Sequence, residues 1–313
     1  MAVAFVFPGQ GSQTVGMGKA LADAFAPAKA VFAEVDEALG ENLSATVFEG
    51  PQDRLTLTEN AQPALMAVSL AVTRVLEAEA GLDLARDAAF VAGHSLGEYS
   101  ALAAAGTFSI ADAARLLRTR GRAMQKAVPV GVGAMAALLG VTLEQAQAIA
   151  TEAAAGEVCQ AANDNGGDQI VLSGHAGAIE RAVKIAPAHG AKRAIPLQVS
   201  APFHCSLMQP AADAMDDALG KIDIAPPVVP LIANVTAAPV EEPDTIRRLL
   251  VEQVTGLVRW RECVLAMKQA GVDTLVELGS GKVLSGLARR IDRELTGVSV
   301  GDPQGLDAFL KTL

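Results

Sequence analysis

A serine between two glycines is the residue of this sequence best placed to act as a nucleophile. The stretch Gly93-His-Ser-Leu-Gly97 follows a short apolar run, 88–92, and precedes an alanine-rich segment that ends at Gly106. A strand, a tight turn and a helix in this order predict a nucleophile elbow, in which the Ser95 hydroxyl lies at the carboxyl end of the strand and the backbone N–H of Leu96 can stabilise an oxyanion. The alternative is a turn whose serine only caps the helix.

A serine nucleophile needs a general base, and the sequence contains four histidines. His94 adjoins the serine and is predicted to point away, His175 lies in a loop, and His189 ends a predicted helix. His204, in the stretch Ser200-Ala-Pro-Phe-His204, remains as the candidate base by elimination. A structural histidine is the alternative.

An arginine lies on the apolar side of the helix predicted over 109–127. Arg120 falls on one stripe with Met124, and a buried guanidinium is costly unless an anion meets it. The anion is either an internal carboxylate or the carboxylate of a substrate that the guanidinium fork reads. Gln62, just before Pro63, is interpreted as a residue at a helix start, with a pocket contact as the alternative.

The loop after the first predicted strand, 3–7, offers a second oxyanion donor. Its sequence, Pro8-Gly-Gln-Gly-Ser-Gln13, lacks the third glycine of a dinucleotide-binding loop and the Lys-Ser/Thr pair of a P-loop. In α/β-hydrolase-like folds a loop of this kind contributes to the oxyanion hole. Gln10 is therefore the candidate donor.

The order of predicted elements indicates an α/β fold with an insertion. Residues 1–130 and 200–313 alternate strands and helices, which predicts an α/β-hydrolase-like parallel sheet with helices on both faces. Residues 131–199 follow the order strand, helix, strand, strand, helix, strand, which is typical of a small ferredoxin-like subdomain. Asn163 begins a turn cluster, 163–168, and has either a turn role or a pocket contact.

Composition excludes several classes of function. The chain has 313 residues, of which 51% are hydrophobic, and a formal net charge of −10, which argues against nucleic acid as the main partner. Prolines and glycines interrupt the uncharged stretches, so no membrane span is expected, and no secretory signal is recognised at the N-terminus. The three cysteines are far apart, which fits neither a disulfide framework nor a metal site. We therefore expect a cytoplasmic protein.

Several motifs together resemble the bacterial malonyl-CoA:acyl carrier protein transacylases of type II fatty acid synthesis, over the whole chain. They are Pro8–Gln13, Gly93-His-Ser-Leu-Gly-Glu-Tyr99, Arg120-Gly-Arg-Ala-Met124, Pro202-Phe-His204, Ala233-Asn-Val-Thr236 and Glu277-Leu-Gly-Ser-Gly-Lys-Val283. The resemblance implies that Ser95 takes a malonyl group from malonyl-CoA, a coenzyme A thioester, and passes it to the phosphopantetheine thiol of an acyl carrier protein. It implies no bound cofactor and no metal.

The same resemblance implies roles for individual residues. His204 is the general base and acid of a Ser-His dyad, and Gln253, in Leu250-Val-Glu-Gln253, orients it through a backbone carbonyl. Leu96 and Gln10 form the oxyanion hole, and Arg120 pairs with the malonyl carboxylate. The substrate-binding residues are Arg120, Met124, Gln253, Phe203 and Asn163.

Two other functions remain as alternatives: a polyketide-type acyltransferase that uses another acyl-CoA, and a serine esterase or thioesterase. An esterase is expected to have a His-Gly-Gly-Gly loop and a histidine late in the chain, and this sequence has neither. A carboxylate-reading Arg120 discriminates against neutral acyl groups, although not between malonyl and methylmalonyl.

An acidic carrier protein needs a basic surface on this acidic chain. One candidate is the helix face predicted to be exposed, which carries Arg115, Arg118 and Arg122 with Lys126 nearby; the other is the group Lys282, Arg289 and Arg290. Solvated helix faces are the alternative interpretation. We expect the chain to be a monomer that contacts neither nucleic acid nor membrane.

Overall fold

The computed structural model describes residues 2–311, which form ten strands, fifteen α-helices and two short 3-10 helices. The strands are β1 (Ala2–Phe7), β2 (Phe90–Gly93), β3 (Gly133–Leu139), β4 (Cys159–Asp164), β5 (Gln169–His175), β6 (Arg193–Pro196), β7 (Leu231–Ile232), β8 (Pro239–Val240), β9 (Val272–Leu278) and β10 (Thr296–Val300). The helices are α1 (Lys19–Ala24), α2 (Ala26–Leu39), α3 (Leu43–Glu49), α4 (Gln52–Thr56), α5 (Thr58–Ala80), α6 (Leu84–Asp87), α7 (Gly97–Ala104), α8 (Ile110–Ala127), α9 (Leu143–Ala154), α10 (Ala176–Ile185), α11 (Gln209–Leu219), α12 (Pro243–Thr255), α13 (Trp260–Gln269), α14 (Val283–Ile291) and α15 (Pro303–Leu310).

The larger sheet has the strand order β10-β9-β1-β2-β7-β8. Its neighbouring strands are parallel except for the short edge strand β8, which runs antiparallel to β7. Side chains of β1 alternate between two cores: Phe5 and Phe7 pack with α5 and α8, whereas Ala4 and Val6 pack with α13 and α14. The predicted α/β sheet with helices on both faces is confirmed, and the antiparallel edge is an addition that the sequence analysis missed.

The smaller sheet has the order β4-β5-β3-β6, and its paired strands are antiparallel. Helices α9 and α10 cover it and share with it a core of their own, which includes Leu138, Ile149 and Ile179. This separate core supports the proposal that residues 131–199 form a ferredoxin-like subdomain inserted between 1–130 and 200–313. The helix predicted to reach His189 ends at Ile185 and continues as a 3-10 turn.

Two main-chain hydrogen bonds join the end of β4 to Val258, in the segment between α12 and α13. Asp164 N–H donates to the carbonyl of Val258 and Val258 N–H donates to the carbonyl of Ala162, each at 2.9 Å. The Arg261 guanidinium pairs with the Asp164 carboxylate at 2.9 Å. Asn163 lies in strand β4, because the pairing with β5 continues through Asn163, opposite Val171, and Asp164, opposite Ile170; its predicted place in a turn is wrong.

Helix α8 is covered on more of its surface than its sequence pattern predicts. Arg118 is only 5% exposed, so its predicted place on an exposed face is wrong. The cause is α2, which packs on α8 beside α5 and brings Glu41, just beyond its own end, into an ion pair with Arg118, while Asn60 accepts a further hydrogen bond.

None of the helices within residues 2–311 is both long enough and apolar enough to cross a membrane.

The turn between β2 and α7 leaves no room for side chains at its two glycines. A Cβ on Gly93 would lie 1.9 Å from the carbonyl carbon of Gly97, and a Cβ on Gly97 would lie 2.2 Å from the carbonyl oxygen of Phe7. Both distances are far inside van der Waals contact with backbone atoms, which cannot rotate away. The two glycines thus allow the elbow to pack against the end of β1.

The variant Gly97→Ala is expected to lower the free energy of unfolding by about 3 kcal/mol or more, since the added methyl group must displace β1 or α7. Chemical denaturation measures this change. Gly286→Ala is the matched control, because its Cβ would meet no atom within 4 Å in helix α14, and it is expected to be neutral or slightly stabilising. Equal stabilities of the two variants would contradict the close packing of the elbow.

Candidate active site

Ser95 lies at the tip of the turn between β2 and α7 in a left-handed backbone conformation, with φ of 53°. Its N–H donates to Asn234 Oδ1 at 2.8 Å, and Asn234 Nδ2 donates to the carbonyl of Gly93 at 2.7 Å. Asn234 follows β7, the neighbour of β2 in the sheet. One amide side chain therefore holds both sides of the turn, and the Ser95 hydroxyl points away from the sheet into the cavity described below.

The imidazole of His204 lies against this hydroxyl. Its Nε2 is 2.8 Å from Ser95 Oγ, and its Nδ1 is 2.9 Å from the backbone carbonyl oxygen of Gln253. Because a carbonyl oxygen can only accept, Nδ1 carries the proton and Nε2 is left to accept the serine hydroxyl. The imidazole is thus oriented by a neutral carbonyl, where an ordinary triad has a carboxylate.

The protonation of His204 is set by its surroundings. Burial and the positive charge of Arg120 together lower its pKa from 6.5 to about 3, against the smaller opposite effect of the Gln253 carbonyl. The free imidazole is therefore neutral across the physiological range, as a general base must be.

Arg120 is 1% exposed and reaches the same serine. Its Nη2 donates to Ser95 Oγ at 3.1 Å and to Gln253 Oε1 at 2.8 Å, and its Nη1 donates to Gln62 Oε1 at 2.9 Å. Its Nε is buried without a hydrogen-bond partner among the described residues. The guanidinium thus meets amide and hydroxyl oxygens in place of an internal carboxylate.

The helix that carries Arg120 approaches α5 closely at the next residue. A Cβ on Gly121 would lie 2.6 Å from the Cα of Glu59, so only glycine permits this spacing. The close contact brings Gln62, one turn into α5, within reach of Arg120.

Two backbone N–H groups line the cavity beside Ser95. Within residues 2–311, the N–H groups of Leu96 and Gln10 make no hydrogen bond, and both residues line the cavity in front of Ser95. The Gln10 side chain is held in place by Thr58, whose hydroxyl oxygen it approaches at 3.3 Å. Free N–H groups beside a nucleophile can stabilise negative charge on a substrate oxygen.

A cavity of about 640 Å³ opens in front of Ser95 and is lined by residues of the smaller sheet and by the loops that follow β1 and β2 of the larger sheet. Met135, Asn163 and Val171 come from the smaller sheet, and Lys282 and Arg290 come from the region around α14. No group of three or more His, Cys, Asp or Glu side chains among residues 2–311 is arranged to hold a metal ion.

The family model of the acyl transferase domain matches residues 4–292 of this chain. The chain belongs to the acyl transferase family.

Curated and structural relatives agree with this assignment. The chain is 46% identical over 312 residues to a malonyl CoA-acyl carrier protein transacylase of Bacillus subtilis (strain 168), covering 99% of this chain and 97% of the relative. A crystal structure of the acyl-carrier-protein-S-malonyltransferase from Bartonella henselae has a TM-score of 0.97 and 58% identity, covering 100% and 99% of the two chains. A type II PKS acyl-carrier protein in complex with its malonyl-transacylase has a TM-score of 0.96 and 42% identity, covering 100% of both chains. The resemblance found in the sequence is confirmed.

The fold of this acyltransferase brings the candidate site residues together. Those that line the cavity are Ser95, Leu96, Gln10, Arg120, Met124, Phe203, His204 and Asn163. Gln253 lies behind them, in contact with Arg120 and His204. Of the other histidines, His94 bonds Asn165 at 2.8 Å, His175 accepts from the N–H of Val158 at 2.9 Å, and His189 pairs with Glu152 at 2.9 Å.

Sequence reasoning missed three residues of this site. Gln62 was interpreted as a helix-start residue, but it binds Arg120 inside α5. Asn234 was quoted only as part of a motif, and Glu98 was passed over although it belongs to the elbow motif itself. No local pattern marks the first two, because their partners lie far away along the chain.

The depressed pKa of His204 predicts its behaviour in a pH titration. In the free enzyme its Cε1–H resonance is expected to keep the chemical shift of a neutral imidazole from pH 8 down to about 5, because burial and Arg120 oppose protonation. Proton NMR measures this, and the resonance missing from His204→Asn assigns the signal. A midpoint near pH 6.5 would contradict the described environment.

Proposed function

We propose that this chain transfers a malonyl group from malonyl-CoA to the phosphopantetheine thiol of an acyl carrier protein, through a malonyl ester of Ser95. The observation that carries the proposal is the buried Arg120 guanidinium, which donates to Ser95 Oγ and to two amide oxygens but to no internal carboxylate among the described residues. A malonyl group on Ser95 ends in a carboxylate, which supplies the anion that a buried guanidinium requires. The malonyl activity of the relatives agrees with this chemistry.

In the first half-reaction, Ser95 Oγ attacks the thioester carbonyl carbon of malonyl-CoA and His204 Nε2 takes the hydroxyl proton. The developing oxyanion accepts hydrogen bonds from the N–H groups of Leu96 and Gln10. When the tetrahedral intermediate collapses, the carbon–sulfur bond breaks and His204 returns the proton to the leaving thiolate. Coenzyme A departs and the malonyl ester remains on Ser95.

In the second half-reaction, the phosphopantetheine thiol of the carrier occupies the position that coenzyme A has left. His204 takes the thiol proton, the sulfur attacks the ester carbonyl, and the carbon–oxygen bond to Ser95 breaks. The proton then passes from His204 to Ser95 Oγ. The two half-reactions are the same chemistry in opposite directions, so one site serves both.

The dyad suits a thioester substrate. An imidazolium that faces only the carbonyl of Gln253 is less stabilised than one that faces a buried carboxylate. A thiolate leaves more readily than an amine or an alkoxide, so the reaction requires less stabilisation of the imidazolium form of His204. Met124, Phe203 and Asn163 form the walls against which the acyl chain and the pantetheine arm are proposed to pack.

The carrier is proposed to dock beside the opening of the cavity. A second cavity of about 660 Å³ adjoins it, and its lining includes Arg289, Arg290 and Arg293, together with Arg261, which pairs with Asp164, and the acidic residues Glu144 and Asp168. Arg290 also lines the first cavity, so a basic surface reaches the site entrance. In the other candidate patch, Arg115 and Arg122 are paired with carboxylates. A basic entrance complements an acidic carrier protein, and we propose that this exchange takes place in the cytoplasm by a monomeric enzyme.

The variant Arg120→Ala tests the proposed function. Acylation of Ser95 by malonyl-CoA is expected to fall roughly tenfold to 150-fold, the value of one lost charge-assisted hydrogen bond of about 1.5–3 kcal/mol. Acylation by acetyl-CoA, which has no carboxylate, is expected to persist or increase.

Intact-protein mass spectrometry after brief incubation with malonyl-CoA, methylmalonyl-CoA or acetyl-CoA measures these adducts, and a holo carrier protein added as a chase tests transfer. Equal losses with malonyl-CoA and acetyl-CoA would contradict the role of Arg120. A wild-type adduct that is lost to water in preference to the carrier would favour a thioesterase.

The variant Arg289→Glu tests the docking surface. Its KM for the carrier is expected to rise about fivefold to tenfold at low ionic strength, and the difference is expected to shrink as salt is added. Arg115→Glu, on the other basic patch, is the matched control and is expected to change the KM little. The reverse ranking of the two variants in steady-state transfer assays would move the docking surface to α8.

A further inference from the structure

A buried carboxylate lies one side chain behind the reactive groups. Glu98 is 1% exposed on the first turn of α7, and it lies outside the lining of the substrate cavity. Its Oε2 accepts a hydrogen bond from Gln253 Nε2 at 2.7 Å and another from the backbone N–H of Asn234 at 3.2 Å. The proposed transfer reaction leaves this carboxylate without a direct role.

The Gln253 amide is the link between Glu98 and Arg120. Its Nε2 end donates to Glu98 and to the carbonyl of Ser95 at 2.9 Å, while its Oε1 end accepts from Arg120 at 2.8 Å. An amide that turns by half a rotation exchanges its donor and acceptor ends. In that orientation the Gln253 NH₂ group would face the N–H groups of the Arg120 guanidinium, and two donors cannot form a hydrogen bond.

Two acceptors, Glu98 Oε2 and the carbonyl of Ser95, favour the observed orientation, and Glu98 makes the shorter contact with Gln253 Nε2, at 2.7 Å against 2.9 Å. The backbone N–H of Asn234 fixes the position of Oε2, so an oxygen must face the Gln253 NH₂ group. We propose that Glu98 is a positioning residue that orients the Gln253 amide and thereby aims the Arg120 guanidinium at the acyl group on Ser95. This inference rests on the proposed function, in which Arg120 reads the carboxylate of that acyl group.

The charges around Glu98 agree with this role. Burial raises its pKa to about 7, and the nearby positive charge of Arg120 acts in the opposite direction. A pKa of about 7 leaves Glu98 partly protonated near neutral pH, and in both protonation states an oxygen of Glu98 can accept the hydrogen bond from Gln253. The arrangement places a carboxyl group one amide away from the buried guanidinium.

Three variants distinguish an effect on the orientation of the Gln253 amide from an effect on the stability of the fold. Glu98→Leu removes the acceptor at similar volume, Glu98→Asp keeps the charge but withdraws the carboxylate by one methylene group, and Glu98→Gln keeps an oxygen facing Gln253 and Asn234. The readout is the malonyl-to-acetyl ratio of Ser95 adducts, measured by intact mass after brief exposure to equal amounts of both CoA esters. This ratio does not depend on the fraction of the protein that is folded.

The ratio is expected to fall about tenfold or more in Glu98→Leu, to fall also in Glu98→Asp, and to stay within about threefold of wild type in Glu98→Gln. Glu277→Leu is the matched control, since Glu277 is a fully buried carboxylate whose hydrogen-bond donors are the N–H and hydroxyl of Ser285. Its ratio is expected to remain at the wild-type value.

An unchanged ratio in Glu98→Leu, or a fall in Glu98→Gln as large as that in Glu98→Leu, would overturn the inference. A fall in the Glu277→Leu control as large as that in Glu98→Leu would do the same, because it would reduce the effect to general loss of packing. Absence of any malonyl adduct on wild-type Ser95 would instead contradict the proposed function, so the two failures are distinguishable.

Discussion

The Arg120 guanidinium lies in the interior with amide and hydroxyl oxygens as its partners, and the rest of the site is arranged around that charge. A guanidinium cannot lose its proton there, so the elements that face it must supply acceptors. Helix α5 supplies Gln62 and helix α12 supplies Gln253. The same positive charge helps to keep His204 neutral and lies against the Ser95 hydroxyl. One buried cation therefore contacts Ser95 and lowers the pKa of His204, the two residues of the proposed dyad.

Both residues of the proposed dyad occupy left-handed backbone conformations, with φ of 53° for Ser95 and 58° for His204. Each costs of order 1–2 kcal/mol for a residue with a Cβ. The surroundings offset this cost, because Asn234 bridges both sides of the elbow and the Gln253 carbonyl holds the imidazole. Strain at the reacting groups is thus maintained by hydrogen bonds from segments that follow the elbow by more than a hundred residues in the sequence.

The cavity belongs to both sheets. The larger sheet carries the nucleophile, and the smaller sheet closes the opposite wall with Met135, Asn163 and Val171. Two main-chain hydrogen bonds join the end of β4 to Val258, which follows α12, the helix that carries Gln253. A shift of the smaller sheet would therefore change the position of His204 as well as that of the cavity wall.

By itself the sequence determined the local chemistry: glycine spacing located the elbow at Ser95, helical periodicity put Arg120 on a buried stripe, and the scarcity of histidines left His204. These are short-range patterns, which a few neighbouring residues are enough to define. Only the tertiary structure decided which acceptors meet the guanidinium, why Arg118 is buried beside α2, and how Glu98 reaches Gln253. Those contacts join segments that are far apart in the chain. They form because helices and sheets pack in one arrangement, and the local propensities of the residues do not encode that packing.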